Sequence, residues 1–241
     1  MPIIDFPNIN EADENGLLAL GGDLHPDSLL LAYGRGIYPW PIGTDIPMAW
    51  FSPSPRGVIF TKDLHISKSL MKFAKKCEYT VSINTSFKEV ITTCAKIHNQ
   101  SNEGTWITKE IIDGYSEFHH QGYAYSIEVK NKNDKLIGGL YGVHLGGFIS
   151  GESMFHTEKN ASKLALLILM YNLKKNNIPY LDTQMITSTT KNFGATEITR
   201  DKFAQLLEVS LTKHKIDINN FVVNLQVIVE ELTSSNISQE P

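Results

Sequence analysis

The stretch from residue 123 to residue 185 constrains the fold more than any other part of the chain. Tyr123–Lys130 alternates as a strand does, and Asn131-Lys132-Asn133-Asp134 supplies turn chemistry. Leu136–Val143 reads as a second strand, Leu145-Gly146-Gly147 as a second turn, and Phe148–Phe155 as a third strand. A strongly apolar helix over Asn160–Lys175 follows, ended by Asn176-Asn177, and Ile178–Met185 is a further strand. An antiparallel three-strand meander, a crossover helix and another strand predict an α+β core built on a mixed, mostly antiparallel sheet.

The flanks read differently. Residues 1–58 are rich in Gly, Pro and aromatics, with one short helix at Pro26–Tyr33 started by Pro26. They predict a small irregular N-terminal domain, with residues 59–233 forming the larger domain and 234–241 a polar, disordered tail. Helices are expected at Ser67–Lys76, with Ser67 as N-cap, and at Phe87–His98, Lys109–Gln121 and Arg200–Leu211. In the first of these, Ile66, Leu70, Phe73 and Ala74 make an apolar face, and Lys68, Lys72, Lys75 and Lys76 the opposite one.

Charge and cysteine content exclude several classes. A net charge of −4 means that any nucleic-acid contact uses a local patch, and the four lysines are the candidate. Helix faces of this kind are also commonly just solvated. Cys77 and Cys94, with sixteen residues between them, form no CxxC and read as reduced thiols. The N-terminal residues lack the pattern of a signal peptide. The longest apolar stretch, Leu164 to Tyr171, is far short of the ~20 residues of a membrane span. A soluble, cytoplasmic, monomeric protein is expected.

Two short segments carry candidate chemistry. In Tyr180-Leu181-Asp182-Thr183-Gln184, residues two apart share a strand face, so Asp182 and Gln184 project together. An acid beside an amide on a central strand needs partners; at a strand end both would be solvated. By the same alternation Glu152 and Met154 share one side of Phe148–Phe155, and Ser153 and Phe155 the other. A carboxylate beside a thioether suits a pocket for a cation next to an apolar group, and equally a Glu at a sheet edge. Gly151-Glu152-Ser153-Met154-Phe155 is not a nucleophile elbow, because its second glycine is absent. The glycines from Gly138 to Gly147 precede no Gly-Lys-Ser/Thr, and the eight histidines show no metal spacing. Tyr33, Trp40 and Trp106 could stack on a base or join two domains.

Gly16-Leu17-Leu18-Ala19-Leu20-Gly21-Gly22-Asp23-Leu24 resembles the N-terminal signature of leucyl/phenylalanyl-tRNA–protein transferases. So do Arg35-Gly36-Ile37-Tyr38-Pro39-Trp40, Glu103-Gly104-Thr105-Trp106-Ile107, Gly151-Glu152-Ser153-Met154-Phe155 with Asn160-Ala161-Ser162-Lys163, and Phe193-Gly194-Ala195, all in family order. The resemblance implies a larger domain similar to the GCN5-related N-acyltransferase fold. It implies transfer of Leu, Phe or Met from aminoacyl-tRNA to the α-amine of a protein beginning with Arg or Lys, which marks that protein for N-end-rule degradation. No cofactor, metal or covalent nucleophile is implied.

By the same resemblance Asp182 and Gln184 are the catalytic pair. Asp182 orients or helps deprotonate the amine, and Gln184 positions it and stabilises the transition state. Glu152 contacts the basic acceptor. Tyr33, Trp40 and Trp106 surround the tRNA's 3′-terminal adenosine, and Leu140, Ile149, Met154, Leu169 and Leu173 form the pocket for the transferred side chain. Lys68, Lys72, Lys75 and Lys76 fall on the basic tRNA-binding helix. Leu169, Leu173 and Ile149 replace aromatic residues familiar in the family, and Tyr125 and Thr189 replace histidines. An acyl-CoA enzyme would carry a glycine-rich pyrophosphate turn where this chain has His156-Thr157-Glu158-Lys159-Asn160-Ala161-Ser162. A cell-wall ligase would lack the N-terminal blocks, and a non-catalytic adaptor would lose Asp182 or Gln184.

Overall fold

A computed structural model describes residues 1–43, 45–99 and 105–237, with side chains through Ser234. Glu103 and Gly104 of the third family block lie outside the described residues, as do residues 238–241 of the expected tail.

Short N-terminal strands β1 (Leu17–Leu20), β2 (Tyr38–Pro39) and β3 (Ala49–Phe51) form a small sheet in the order β1-β3-β2, with helix α1 (Pro26–Gly34) between the first two. His25 caps α1 by accepting from the Asp27 amide, and Pro26 occupies its first turn. The large sheet has seven strands: β4 (Arg56–Phe60), β5 (Thr80–Ile83), β6 (Ala124–Lys130), β7 (Leu136–Leu145), β8 (Phe148–His156), β9 (Tyr180–Gln184) and β10 (Thr196–Ile198). Their order is β10-β4-β9-β8-β7-β6-β5. Every pairing is antiparallel except β8 with β9, so the sheet is mixed as expected. The change from small to large sheet falls between Phe51 and Arg56.

Helices α2 (Lys68–Ala74), α3 (Phe87–Asn99), α4 (Lys109–His120), α5 (Ala161–Lys175), α6 (Ser188–Asn192), α7 (Arg200–Leu211) and α8 (Leu225–Ile237) complete the chain. The last of these runs past Ser234, where the tail was expected to begin.

Apolar layers cover both faces of the large sheet. On one side Ile59, Ile137, Leu140 and Ile149 pack under α5, whose Leu164 to Leu173 are all buried. An almost wholly apolar helix needs cover on all sides, and α2 and α8 supply the outer part. On the other side Val58, Tyr141, Val143, Phe148 and Tyr180 pack with Tyr33, Ile37, Tyr38 and Trp50 of the N-terminal segment and with α3 and α4. This second layer holds the site. Among the described residues no helix is long and apolar enough to cross a membrane.

Candidate active site

The strands β8 and β9 are joined by a crossover helix and pair at one position only, Ser150 with Asp182. Each strand carries an extra residue just beyond that point. On β8, Ser153 pairs with Tyr141 and Gly151 with Gly142, which leaves Glu152 as the bulged residue. On β9, Gln184 pairs with Gly57 and Asp182 with Val58, which leaves Thr183. Bulges bend a strand and re-aim its side chains, and here they separate the two strands where Glu152 and Gln184 stand.

One expectation fails for this reason. Glu152 and Met154 do not share a face. Met154 packs into the layer under α5, whereas the Glu152 carboxyl accepts from Ser150 Oγ at 2.7 Å and Gln184 Nε2 at 3.1 Å and interacts with Tyr33 on the opposite side. One inserted residue reverses the alternation downstream of it. Asp182 and Gln184 do meet in one cluster, through a turn rather than simple alternation. Gln184 has φ 54°, and the Met185 amide donates to Thr183 O at 2.5 Å across it. A γ-turn with positive φ at a residue other than glycine stores strain of roughly 1–3 kcal/mol, and the Gln184 amide donating to Asp182 Oδ1 at 3.0 Å helps hold it.

Asp182 is fully buried and engaged at both oxygens. Arg56 Nε donates to Oδ1 at 2.9 Å and Nη2 to Oδ2 at 2.7 Å. Arg56 is 1% exposed, with its guanidinium 4.9 Å from the Tyr38 ring centroid and 4.3 Å from that of Phe203. Its Nη1 donates to Gly36 O at 3.2 Å. Gly36 has φ 78°, and a Cβ there would lie 2.9 Å from the Phe203 ring, so the Arg35-Gly36-Ile37-Tyr38 block delivers both a carbonyl and a ring to the cation. Burial alone would weaken the Arg56 cation, but the Asp182 carboxylate outweighs it and holds the guanidinium above its ordinary pKa. Sequence reasoning missed Arg56. The available signal was a charged residue opening the apolar run Arg56-Gly57-Val58-Ile59-Phe60, since a buried cation demands a carboxylate.

Glu152 is part-buried, and its carboxyl is pushed up to about 7, first by burial, against the Ser150 hydrogen bond, with the nearby Asp182 charge adding to the rise. Tyr33 is fully buried, shares a 2.5 Å hydroxyl contact with Tyr115, and stacks on Phe118 at 6.3 Å between centroids. Its phenol is held well above the usual range, first by burial and then by the Glu152 charge. Tyr33 therefore joins the carboxylate cluster rather than an open stacking surface. Trp40 and Trp106 are half-buried and stack on each other, centroids 4.8 Å apart and 19° between planes. Tyr125 donates to Ser150 O at 2.9 Å, and Gly142 leaves room for that hydroxyl.

Leu140, Ile149, Leu169 and Leu173 are fully or nearly fully buried in the α5-side layer, and Met154 packs against it. The fold thus gathers these five residues. Lys68, Lys72, Lys75 and Lys76 are all exposed on and just beyond α2, while Leu70 and Ala74 point inward. Ser67 caps this helix by accepting from the Leu70 amide at 3.2 Å.

The Glu152 environment makes stability depend on pH. A carboxyl raised from 4.5 to about 7 binds its proton more tightly in the folded than in the unfolded chain. Stability is therefore largest below the unfolded value, falls as pH rises through that window, and is level above it, a loss of at most about 3 kcal/mol. Glu152→Gln is expected to abolish this part of the fall. Calorimetric Tm values at about pH 5 and about pH 8 measure it; an unchanged difference between them in the variant would contradict the assignment.

The chain matches the family described as leucyl/phenylalanyl-tRNA protein transferase over residues 58–208, and the N-terminal domain of that family over residues 22–54. The leucyl/phenylalanyl-tRNA–protein transferase of Flavobacterium johnsoniae is 46% identical over 203 residues, covering 84% of this chain and 95% of that one. That of Lawsonia intracellularis is 44% identical over 207 residues, covering 86% and 90%. With matches on both sides of the change of sheet, and with Glu152, Asp182 and Gln184 inside the larger one, the chain belongs to the leucyl/phenylalanyl-tRNA–protein transferase family.

Proposed function

We propose that the protein transfers Leu, and also Phe or Met, from aminoacyl-tRNA to the α-amine of proteins that begin with Arg or Lys. The product enters N-end-rule degradation in the cytoplasm. The observation that carries this reading is the polar cluster of Glu152, Gln184, Asp182 and Arg56 where β8 and β9 part. Ester aminolysis is favourable, so a site that orients the amine and offers hydrogen bonds to the developing charge suffices. Gln184 supplies an amide at the point of separation. Asp182, already bonded at both oxygens, fixes the Gln184 backbone and so orients rather than deprotonates. A carboxylate at Glu152 favours a basic acceptor side chain over an acidic one.

The stacked Trp40 and Trp106 offer a surface for the 3′-terminal adenine, and Tyr33 backs the site through Glu152. Leu169 and Leu173 of α5, with Leu140, Ile149 and Met154 of the strands beneath it, form the pocket for the transferred side chain, which the donor reaches through the parting of β8 and β9. The proposed division at residues 1–58 and 59–233 lies a few residues past the change of sheet, inside β4. The reading is tested by incubating the protein with radiolabelled Leu-, Phe- and Met-tRNA and peptides beginning with Arg, Lys, Asp or Glu. Label is expected on the Arg and Lys peptides, while label on acidic peptides, or on none, would overturn it.

The exposed lysines of α2 supply the phosphate contacts in this reading. Replacing Lys68, Lys72, Lys75 and Lys76 together by Gln is expected to reduce the slope of log affinity for charged tRNA against log salt by roughly three units, at about 0.7–0.9 per phosphate contact. Filter binding across a KCl series measures it, and a slope equal to wild type would place the tRNA elsewhere.

A further inference from the structure

We infer that Glu152 is the general base of the transfer, because the two carboxylates of the cluster are differently committed and only Glu152 is left to exchange a proton at the point where β8 and β9 part. The inference rests on the aminoacyl-transfer reading above and gives its proton a path. Asp182 is fully buried, faces Arg56 with both oxygens, and also accepts from the Gln184 amide. Taking a proton there would break a bidentate ion pair in the interior. Glu152 is part-buried, and its bonds come from neutral donors, Ser150 Oγ and Gln184 Nε2. The Gln184 contact also places the base one hydrogen bond from the group proposed to hold the amine.

The groups around Glu152 leave it alone to titrate near neutrality. Tyr33 of α1, Tyr38 of β2, Tyr115 of α4, Tyr125 of β6 and Tyr141 of β7 all have phenols raised by burial, Tyr38 to about 12. Arg56 of β4 stays charged, and Asp182 of β9 is held in its ion pair. The Glu152 value of about 7 suits a base working near physiological pH.

The acceptor arrives as an ammonium and gives one proton to the Glu152 carboxylate. The neutral amine attacks the ester carbonyl; a C–N bond forms and the carbonyl pair moves onto oxygen. When the C–O bond to the ribose breaks, the departing oxygen takes the proton held by Glu152. The surplus proton on the new amide nitrogen returns to Glu152 and passes to water, so one proton is released for each amide formed.

The test is single-turnover Leu transfer from Leu-tRNA to saturating Arg-peptide between about pH 5.5 and 9, with wild type, Glu152→Gln and Glu152→Asp. Glu152→Gln is expected to lower the transfer rate at pH 7 by about 10²-fold or more. That deficit should shrink as pH passes the amine's own value of about 8, and Glu152→Asp should recover much of the rate. If Glu152 only binds the acceptor side chain, Glu152→Gln will raise the peptide KM with the rate and its pH profile unchanged, which overturns the inference while leaving the transfer reading intact. A wild-type protein that transfers nothing would remove both.

Discussion

Replacing Arg56 by Ala is expected to destabilise the protein by roughly 3–5 kcal/mol, because it leaves the Asp182 carboxylate buried without a counter-charge. The loss exceeds what the ion pair itself contributes, since most of it is the cost of an unpaired charge in the interior. The cavity between the Tyr38 and Phe203 rings adds to it. In urea the midpoint should fall by about 1 M or more. The pair substitution Arg56→Met with Asp182→Leu is expected to regain most of that stability, because an apolar pair of similar volume commonly matches a buried salt bridge. It should remain inactive, however, since the Gln184 amide loses its Oδ1 acceptor. Recovery of stability without activity separates the fold-holding role of the pair from its positioning of Gln184; recovery of both would show that the positioning is dispensable.

Gln184→Ala is expected to lower the transfer rate by about 10²–10³-fold, the range for losing one hydrogen-bonding group that acts on developing charge. The peptide KM should change far less, because Glu152 and its Ser150 contact remain. Gln184→Gly controls for the backbone. Gly tolerates φ 54° where Ala does not, so the Gly variant should be more stable than the Ala variant by about 1 kcal/mol, yet equally slow. If the two variants differ in rate as they do in stability, strain rather than the side chain explains the loss.

The sequence made the central architecture legible because its signals are local. Tight turns of Asn and Gly separate the meander strands, and the apolar run from Ala161 has a period and length that only a covered helix satisfies. Arg200–Leu211 was expected and found with the same ends, its start set by Thr199 accepting from the Lys202 amide. The short strands β1 to β3 and the edge strand β10 escaped notice, since two to four residues among Pro and Gly carry no periodicity. On the strand read from the alternation of Tyr123–Lys130, the polar Ser126 and Glu128 are fully buried. Glu128 there accepts from Ser82, Thr85, Ser86 and Ser126, a network assembled from distant segments.

The site divides along the same line. Asp182, Gln184 and Glu152 were identified, and the fold brings them together. Their geometry was not legible, because each bulge depends on the partner strand, and the face of Glu152 was read wrongly for that reason. Arg56 and Tyr115 were missed because the groups they serve lie 126 and 82 residues away in the chain.

The most direct test of the central claim is a crystal structure with a non-hydrolysable donor, adenosine carrying leucine through a 3′-amide. The amide carbonyl is expected within hydrogen-bond distance of Gln184, the adenine on Trp40 or Trp106, and the leucyl side chain toward Leu140 and Leu169. An analogue bound with its amide away from Gln184 and Glu152 would contradict the assignment of transfer to the parting of β8 and β9.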